Sequence, residues 1–441
     1  MEVSKTRTIF PATAQDRMNY LIGLLSADQQ IAMVLSFSSR LDTQILKRAL
    51  QLTLKLVPIL NCRFVAEENP YWESTNGVQG EILVCENCTG EEREKKVNEF
   101  IVEPGDRING PLVQAKLLRA QKDTLIVKIS HLCSDATGLK EYIQLLASVY
   151  TAFSHGSAPK VIAAEFLARQ KPGFREQSGL FSALGIKDLT SLLREDESAK
   201  YLWRFPSDPA ANDKPKVAIR RLKGEQMTRL INRAKAYGAT VNDLICAAYF
   251  RSLLDKSVFM EPCNEEKAAI CITVDLRRYL PGRTTGTICN LSGSEAVIIE
   301  LQEGEEFEVT LAKVKQKLDT IKNNRPGLSS AAMMELIAGS PLSAAREEVY
   351  KQKASLAKGM NTVLPYLSNL GIIAGQPLKF GSAVAEDGYM TGPINYAPFF
   401  YMGVSTYNEV LTLAVGYHTP AISEKEVNRL LDVMVRELSG G

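Results

Sequence analysis

The stretch Ile129-Ser130-His131-Leu132-Cys133-Ser134-Asp135-Ala136-Thr137-Gly138 is where the architecture of this chain becomes readable. Before it runs an apolar strand candidate, Thr124 to Ser130, with Leu125, Ile126, Val127 and Ile129. After it, a helix from about Gly138 to Tyr150 shows Tyr142, Ile143, Leu145, Leu146 and Val149 as one apolar stripe. A histidine at the mouth of a strand has its backbone held by the sheet while its ring is free to face a cleft. Asp135 opens the helix, where unpaired amides and the helix dipole stabilise a carboxylate. Taken alone, His131-x-x-x-Asp135 fits a base beside a cleft and also fits an ordinary helix cap with a satisfied histidine nearby.

Outward from this turn, strands and helices alternate. Leu112 to Leu118 reads as a strand joined to Thr124–Ser130 by a hairpin turn at Gln121-Lys122-Asp123. Further upstream, Ile31 to Ser36 is β-compatible, and Asp42 is placed to cap a helix from about Ile45 to Leu56. Downstream, Trp203 to Lys216 holds Pro206, Pro209 and Pro215 with little periodicity and reads as a linker. The expected division is therefore a lobe over 1–202, a linker over 203–216 and a second lobe over 217–441. The second half restarts with a strand near Val217 to Arg221 and helices near Glu225–Tyr237 and Val241–Leu254. Next come a strand at Ala269–Val274 and an extended stretch from Gly286 to Leu301. Helices near Phe307–Lys322 and Arg346–Leu356, closing strands Phe399–Thr406 and Val410–Tyr417, and a helix at Glu424–Leu438 complete it. The fold class is α/β, two similar lobes, each a mixed sheet with flanking helices.

Composition narrows the function. A chain of 441 residues is too long for one ordinary core. Lys and Arg (52) nearly balance Asp and Glu (50) without a basic stripe, which argues against a nucleic-acid partner. Neither a signal-peptide core nor a membrane-spanning run is visible, so a cytoplasmic protein is expected. Of eight cysteines only Cys85 and Cys88 form a CxxC, without the second ligand pair that a zinc site needs; reduced thiols and no metal are expected. Of the three histidines, His155 lies in a polar loop and His418 ends a strand beside Pro420, which leaves His131 as the chemical candidate. No Gly-x-Ser-x-Gly, P-loop or Gly-x-Gly-x-x-Gly is present.

The segment from Ile129 to Gly138 resembles the HxxxDGxG signature of the chloramphenicol acetyltransferase-like superfamily. That group includes alcohol acetyltransferases, plant-type acyltransferases, wax-ester synthases, polyketide-associated acyltransferases and the condensation domains of nonribosomal peptide synthetases. Further resemblances follow in the family's order: Leu41-Asp42 to Pro58-Ile59-Leu60, Gly110-Pro111-Leu112, Ala239-Thr240-Val241-Asn242-Asp243, Asp275-Leu276-Arg277-Arg278 with Asn290, and Leu367-Ser368-Asn369-Leu370-Gly371.

The resemblance implies two lobes meeting around a tunnel, with acyl donor and acceptor entering from opposite faces. His131 is the implied general base, which suits an imidazole whose unperturbed pKa is about 6.5. Asp135 is implied to turn from the tunnel and pair with Arg277, with Gly138 and Asn290 supporting the site. Ser368 corresponds to a hydroxyl able to bond the tetrahedral oxyanion; a strand serine bonded to its neighbours is the alternative. Three residues depart from the pattern. Ser130 stands where an HHxxxDG version has its first histidine, Ala136 replaces the usual glycine, and Asn61 replaces an arginine of condensation domains. The plant-type DFGWG is reduced to Lys379-Phe380-Gly381-Ser382. These departures point toward the alcohol acetyltransferase branch and leave a non-catalytic binding or scaffold member open. The implied donor is acyl-coenzyme A, with nothing bound permanently, since two lobes account for all 441 residues. A phosphopantetheine thioester on an acyl or peptidyl carrier protein is the alternative, and the acceptor is a small molecule.

Overall fold

The computed structural model describes residues 8–27, 29–75, 81–106, 108–169, 177–195, 207–254, 267–302, 304–358 and 363–440. In chain order the first part comprises β1 (Ile9–Pro11), α1 (Ala14–Ser26), β2 (Gln30–Phe37), α2 (Thr43–Leu56), β3 (Cys62–Val65), β4 (Tyr71–Ser74) and β5 (Leu83–Asn87). It continues with α3 (Glu92–Val102), β6 (Val113–Arg119), β7 (Thr124–Ser130), α4 (Ala136–Ser154), α5 (Pro159–Arg169) and α6 (Gln177–Ala183). The second part runs β8 (Ser207–Leu222), α7 (Glu225–Ala236), α8 (Val241–Leu254), β9 (Lys267–Asp275), β10 (Ser292–Glu300), α9 (Phe307–Asn323), α10 (Leu328–Ala338) and α11 (Leu342–Ala357). It closes with β11 (Tyr366–Ile372), β12 (Lys379–Phe380), β13 (Ala383–Thr391), β14 (Tyr401–Tyr407), β15 (Val410–Ile422) and α12 (Glu424–Ser439).

Two mixed six-stranded sheets organise these elements, in the orders β12-β13-β2-β7-β6-β5 and β10-β9-β11-β14-β15-β8. A small third sheet, β1-β4-β3, flanks the first. The α/β class and the two sheet-and-helix lobes expected from the sequence are present. β7 lies at the centre of the first sheet and all seven of its residues are buried. Leu125, Val127 and Ile129 join the core formed with Leu46, Leu50 and Leu54 of α2 and Tyr142, Ile143 and Leu146 of α4. Ile126 packs on the opposite face with Val97, Phe100 and Ile101 of α3. Lys128 also lies on that face; its Nζ donates to the Glu103 carbonyl at 2.7 Å and sits 4.4 Å from the Phe100 ring centroid. A buried ammonium is tolerable only with such partners.

Local chemistry explains the helix starts. The Asp42 side chain accepts from the Gln44 and Ile45 amides, a cap worth about 1 kcal/mol. Ser423 caps α12, which ends at Gly440 in the left-handed conformation.

The structure redraws the second half in three ways. Residues 207–216, read as linker, are the first part of β8 and pair with β15, for example Lys216 with Tyr417; residues 203–206 lie outside the described residues. β13, which has no counterpart in the sequence reading, leaves the second part and pairs with β2 in the first sheet, Tyr389 opposite Val34. The two parts of the chain therefore interleave instead of folding side by side. Of the stretch expected to be extended from Gly286, only Ser292–Glu300 is a strand. His418 does not end its strand: β15 runs on to Ile422, and His418 pairs with Pro215 of β8 beyond the last β14 partner, buried with its ring 4.5 Å from that of Tyr396. His155 is exposed at the end of α4.

Candidate active site

β7 stops at Ser130, and the chain turns through His131 to Ser134 before Asp135 caps α4. The His131 amide donates to the Gln29 carbonyl at 2.8 Å, and the Cys133 amide to Ser130 at 3.2 Å, so the turn is held at both ends. The His131 carbonyl accepts from two side-chain amides: Asn19 of α1 at 2.9 Å and Asn290, which precedes β10, at 2.9 Å. The residue is half-buried, and its Nδ1 lies 3.1 Å from the Asn290 Oδ1. Burial pushes the His131 imidazole below its ordinary pKa, against the opposing pull of the Asp135 charge and the Asn290 hydrogen bond. The net shift disfavours the protonated ring.

Asp135 faces the other way. Its Oδ1 accepts from the Gly138 amide at 2.8 Å, and its Oδ2 accepts from the Leu291 amide at 2.8 Å and from Arg277 Nη1 at 2.7 Å. Burial alone would raise this carboxyl; the Arg277 charge and the three donors outweigh it and hold the group below the usual carboxylate range. Arg277 is itself 1 % exposed and its second nitrogen donates to the Cys289 carbonyl at 3.1 Å. Burial disfavours its charge, and Asp135 more than restores it. Gly138 is required by close approach: a Cβ there would collide with the Ser134 Oγ and lie 3.2 Å from the Cys289 carbonyl.

The structure thus gathers His131, Asp135, Gly138, Arg277 and Asn290 into one junction between the lobes. Ser368 lies on β11. Its hydroxyl lies 2.7 Å from the Thr273 hydroxyl of β9 and has no hydrogen bond to those five residues among the described contacts. Cys271, Thr273, Tyr366, Ser368 and Tyr401 alternate onto the face of the second sheet opposite Leu367 and Met402, which enter the second core. Burial pushes the Tyr401 phenol up to about 12, and a hydrogen bond with Ser368 moderates that rise.

Two contributors escaped sequence reading, both on α1. Asn19 holds the His131 carbonyl, and Gln15 exchanges hydrogen bonds with the backbone of Ser292, donating at 2.6 Å and accepting at 3.2 Å. Their only sequence signal is two amide side chains one helical turn apart, which nothing separates from solvent-facing polarity until the partner strands arrive. The described residues contain no group of three or more His, Cys, Asp or Glu able to hold a metal. No described helix is long and apolar enough to cross a membrane.

Paired six-stranded mixed sheets, with a strand–turn–helix histidine at their junction, make up the chloramphenicol acetyltransferase-like fold. The family profile for the condensation domain matches residues 7–172, and the fold is similar to those of condensation domains and of an acetyltransferase. Trichothecene 15-O-acetyltransferase from Fusarium sporotrichioides aligns with TM-score 0.68 at 13% identity, covering 98% of this chain and 95% of that one. The first condensation domain of the CDA synthetase aligns with TM-score 0.62 at 16% identity, covering 98% and 97%. The starter condensation domain of rhizomide synthetase, solved with C8-CoA, gives 0.64 at 14%, covering 98% and 95%. No curated protein sequence matches the chain.

Proposed function

We propose that the protein is an acyltransferase that moves an acyl group from a thioester to a hydroxyl or amine, with His131 as general base. The observation that carries this reading is the half-buried His131 at the lobe junction, its carbonyl held by Asn19 and Asn290 and its ring beside Asn290. In the reaction, His131 takes the acceptor's proton as its oxygen or nitrogen attacks the thioester carbonyl. The tetrahedral oxyanion collapses, the carbon–sulfur bond breaks, and the imidazolium returns the proton to the departing thiolate. Asp135 and Arg277 take no part in proton transfer; they lock the turn on which the base sits. Ser368 is assigned the role of oxyanion donor, its hydroxyl oriented by Thr273.

The donor is assigned as acyl-coenzyme A and the acceptor as a small molecule, a reading supported by the similar starter domain solved with C8-CoA. Departures at Ser130 and Asn61 support the alcohol acetyltransferase branch. The condensation-domain match over residues 7–172 favours a second reading, in which the thioester is presented on a carrier protein. Thiol release from acetyl- and octanoyl-coenzyme A, with a panel of alcohols and amines, tests the first. The same acyl groups on pantetheine and on a carrier protein test the second. Turnover of acyl-coenzyme A that His131→Ala abolishes is expected. Turnover of the carrier-bound form alone moves the assignment to the second reading, and acyl transfer by neither donor overturns both.

A further inference from the structure

We propose that Lys140 is a positioning residue: from α4 it grips a bulge of β11 through the Leu370 carbonyl, and so sets Ser368 against the helix that the His131 turn opens into. The catalytic consequence rests on the function proposed above, whereas the grip is a property of the fold and needs no substrate.

Ser368 stands where a ladder ends. β9 and β11 pair at two positions, Tyr366 with Cys271 and Leu367 with Ile272. At the next residues the two strands are joined by side chains, the Thr273 and Ser368 hydroxyls 2.7 Å apart. On its other side β11 stays with β14, but the register slips: Asn369 pairs with Val404 and Gly371 with Ser405, which leaves Leu370 as an extra residue. A bulge takes the extra residue out of the ladder, and a buried carbonyl there needs another donor. The Lys140 ammonium donates to the Leu370 carbonyl at 2.9 Å.

The bulge is built to be held. The Asn369 side chain accepts from the Gly371 amide at 3.0 Å and donates to Asn242 of α8 at 3.0 Å. Gly371 has a φ of 73°, the left-handed region that favours glycine. The Leu370 side chain follows Ser368 on the same face of the strand, and it is buried in the first core, whereas Leu367 is buried in the second. At this bulge a strand of the second sheet reaches into the first lobe.

α4 spans the opening between the two strands. Thr137 donates to Asp275, at the end of β9, at 2.8 Å. Lys140, one helical turn further on, holds β11. The same helix starts at the Asp135 cap beside His131, so the base's turn and the ends of both strands are tied to one rigid element. Burial pushes the Lys140 ammonium below its ordinary pKa, and the charges of Asp275 and Asp135 oppose that shift. An ammonium half withdrawn from water in this way depends on an acceptor such as the Leu370 carbonyl.

Hydrogen exchange and kinetics on Lys140→Met, which keeps the stem and removes the donor, test the two halves separately. Exchange in the peptide covering 366–373 should be faster than in the wild type, and unchanged exchange there overturns the grip. In acyl transfer kcat should fall roughly 10- to 100-fold with KM for the donor unchanged, as for a misplaced group and not for lost binding. In a Ser368→Ala background, Lys140→Met should have little further effect, because the group it positions is already gone. A folded Lys140→Met with full kcat, or losses that multiply in the double variant, overturns the positioning role. A fully active Ser368→Ala refutes the oxyanion assignment and the catalytic half with it, and leaves the exchange result standing. Absence of transfer by the wild type counts against the function proposed above, and exchange alone then decides the grip. Should Lys140→Met fail to fold, Lys140→Gln takes its place with the same expectations.

Discussion

Asp135 and Arg277, 142 residues apart, meet at 2.7 Å in the buried junction of the two lobes, and the carboxylate is turned from His131 toward the second part of the chain. The same carboxylate caps α4 through Gly138 and receives the Leu291 amide, so one side chain binds the base's turn to the segment that precedes β10. Among the described contacts no hydrogen bond joins Asp135 to His131. Both partners of the ion pair are almost wholly removed from water, and loss of either strands a charge.

That predicts a steep penalty for single substitutions. Asp135→Ala or Arg277→Ala should each cost about 3–5 kcal/mol of stability, measured by denaturant unfolding, while the double variant costs less than the sum. Since the fold depresses the Asp135 pKa, its contribution is complete above the unfolded value of about 3.9 and is lost as pH falls through the folded one. Additive losses would show that the two charges do not depend on one another.

His131→Ala should behave oppositely. The residue is half-buried and its backbone is held by hydrogen bonds that alanine retains. The rate of acyl transfer should drop by on the order of 10²–10⁴, with a thermal midpoint close to that of the wild type. Normal turnover by this variant would remove the general-base role.

The pH dependence of kcat/KM has a defined sign. Burial lowers the His131 pKa, so activity should be level through neutral pH and decline only below the ordinary imidazole value of about 6.5. Protonation of the folded ring is disfavoured, so its contribution to stability is present above the unfolded pKa and is lost as pH falls toward the folded one. A limb centred above 6.5 in kcat/KM would contradict the desolvated ring.

Gly138→Ala should be destabilising although alanine is the better helix former. The added methyl meets the Ser134 hydroxyl and the Cys289 carbonyl, a close-packed contact whose overfilling costs about 1–3 kcal/mol. Removing one obstacle with Ser134→Ala should recover part of the loss in the double variant. A neutral or stabilising Gly138→Ala would mean that α4 can move from the Cys289 segment freely.

Much of this protein is set by local sequence, because helix periodicity and capping act within a few residues. The stripe in α2 with its Asp42 cap, the run of α8 over Val241–Leu254, and the β6–β7 hairpin all follow from neighbours in the chain. The His131 turn was legible for the same reason, since an apolar strand, a turn and an Asp cap are contiguous. The pairing of Asp135 with Arg277 was legible only through family resemblance. Other features depended wholly on tertiary structure. β8 begins in a proline-bearing stretch that looks irregular, and it is extended because β15 offers it a partner. β13 crosses to β2 because strand pairing depends on which edges are brought together, a relation absent from either segment alone. Asn290 was named through the family resemblance, without its partners, and Asn19 was not singled out at all. They became the groups that hold His131 only when folding removed water from around them and left its backbone and ring as the available partners.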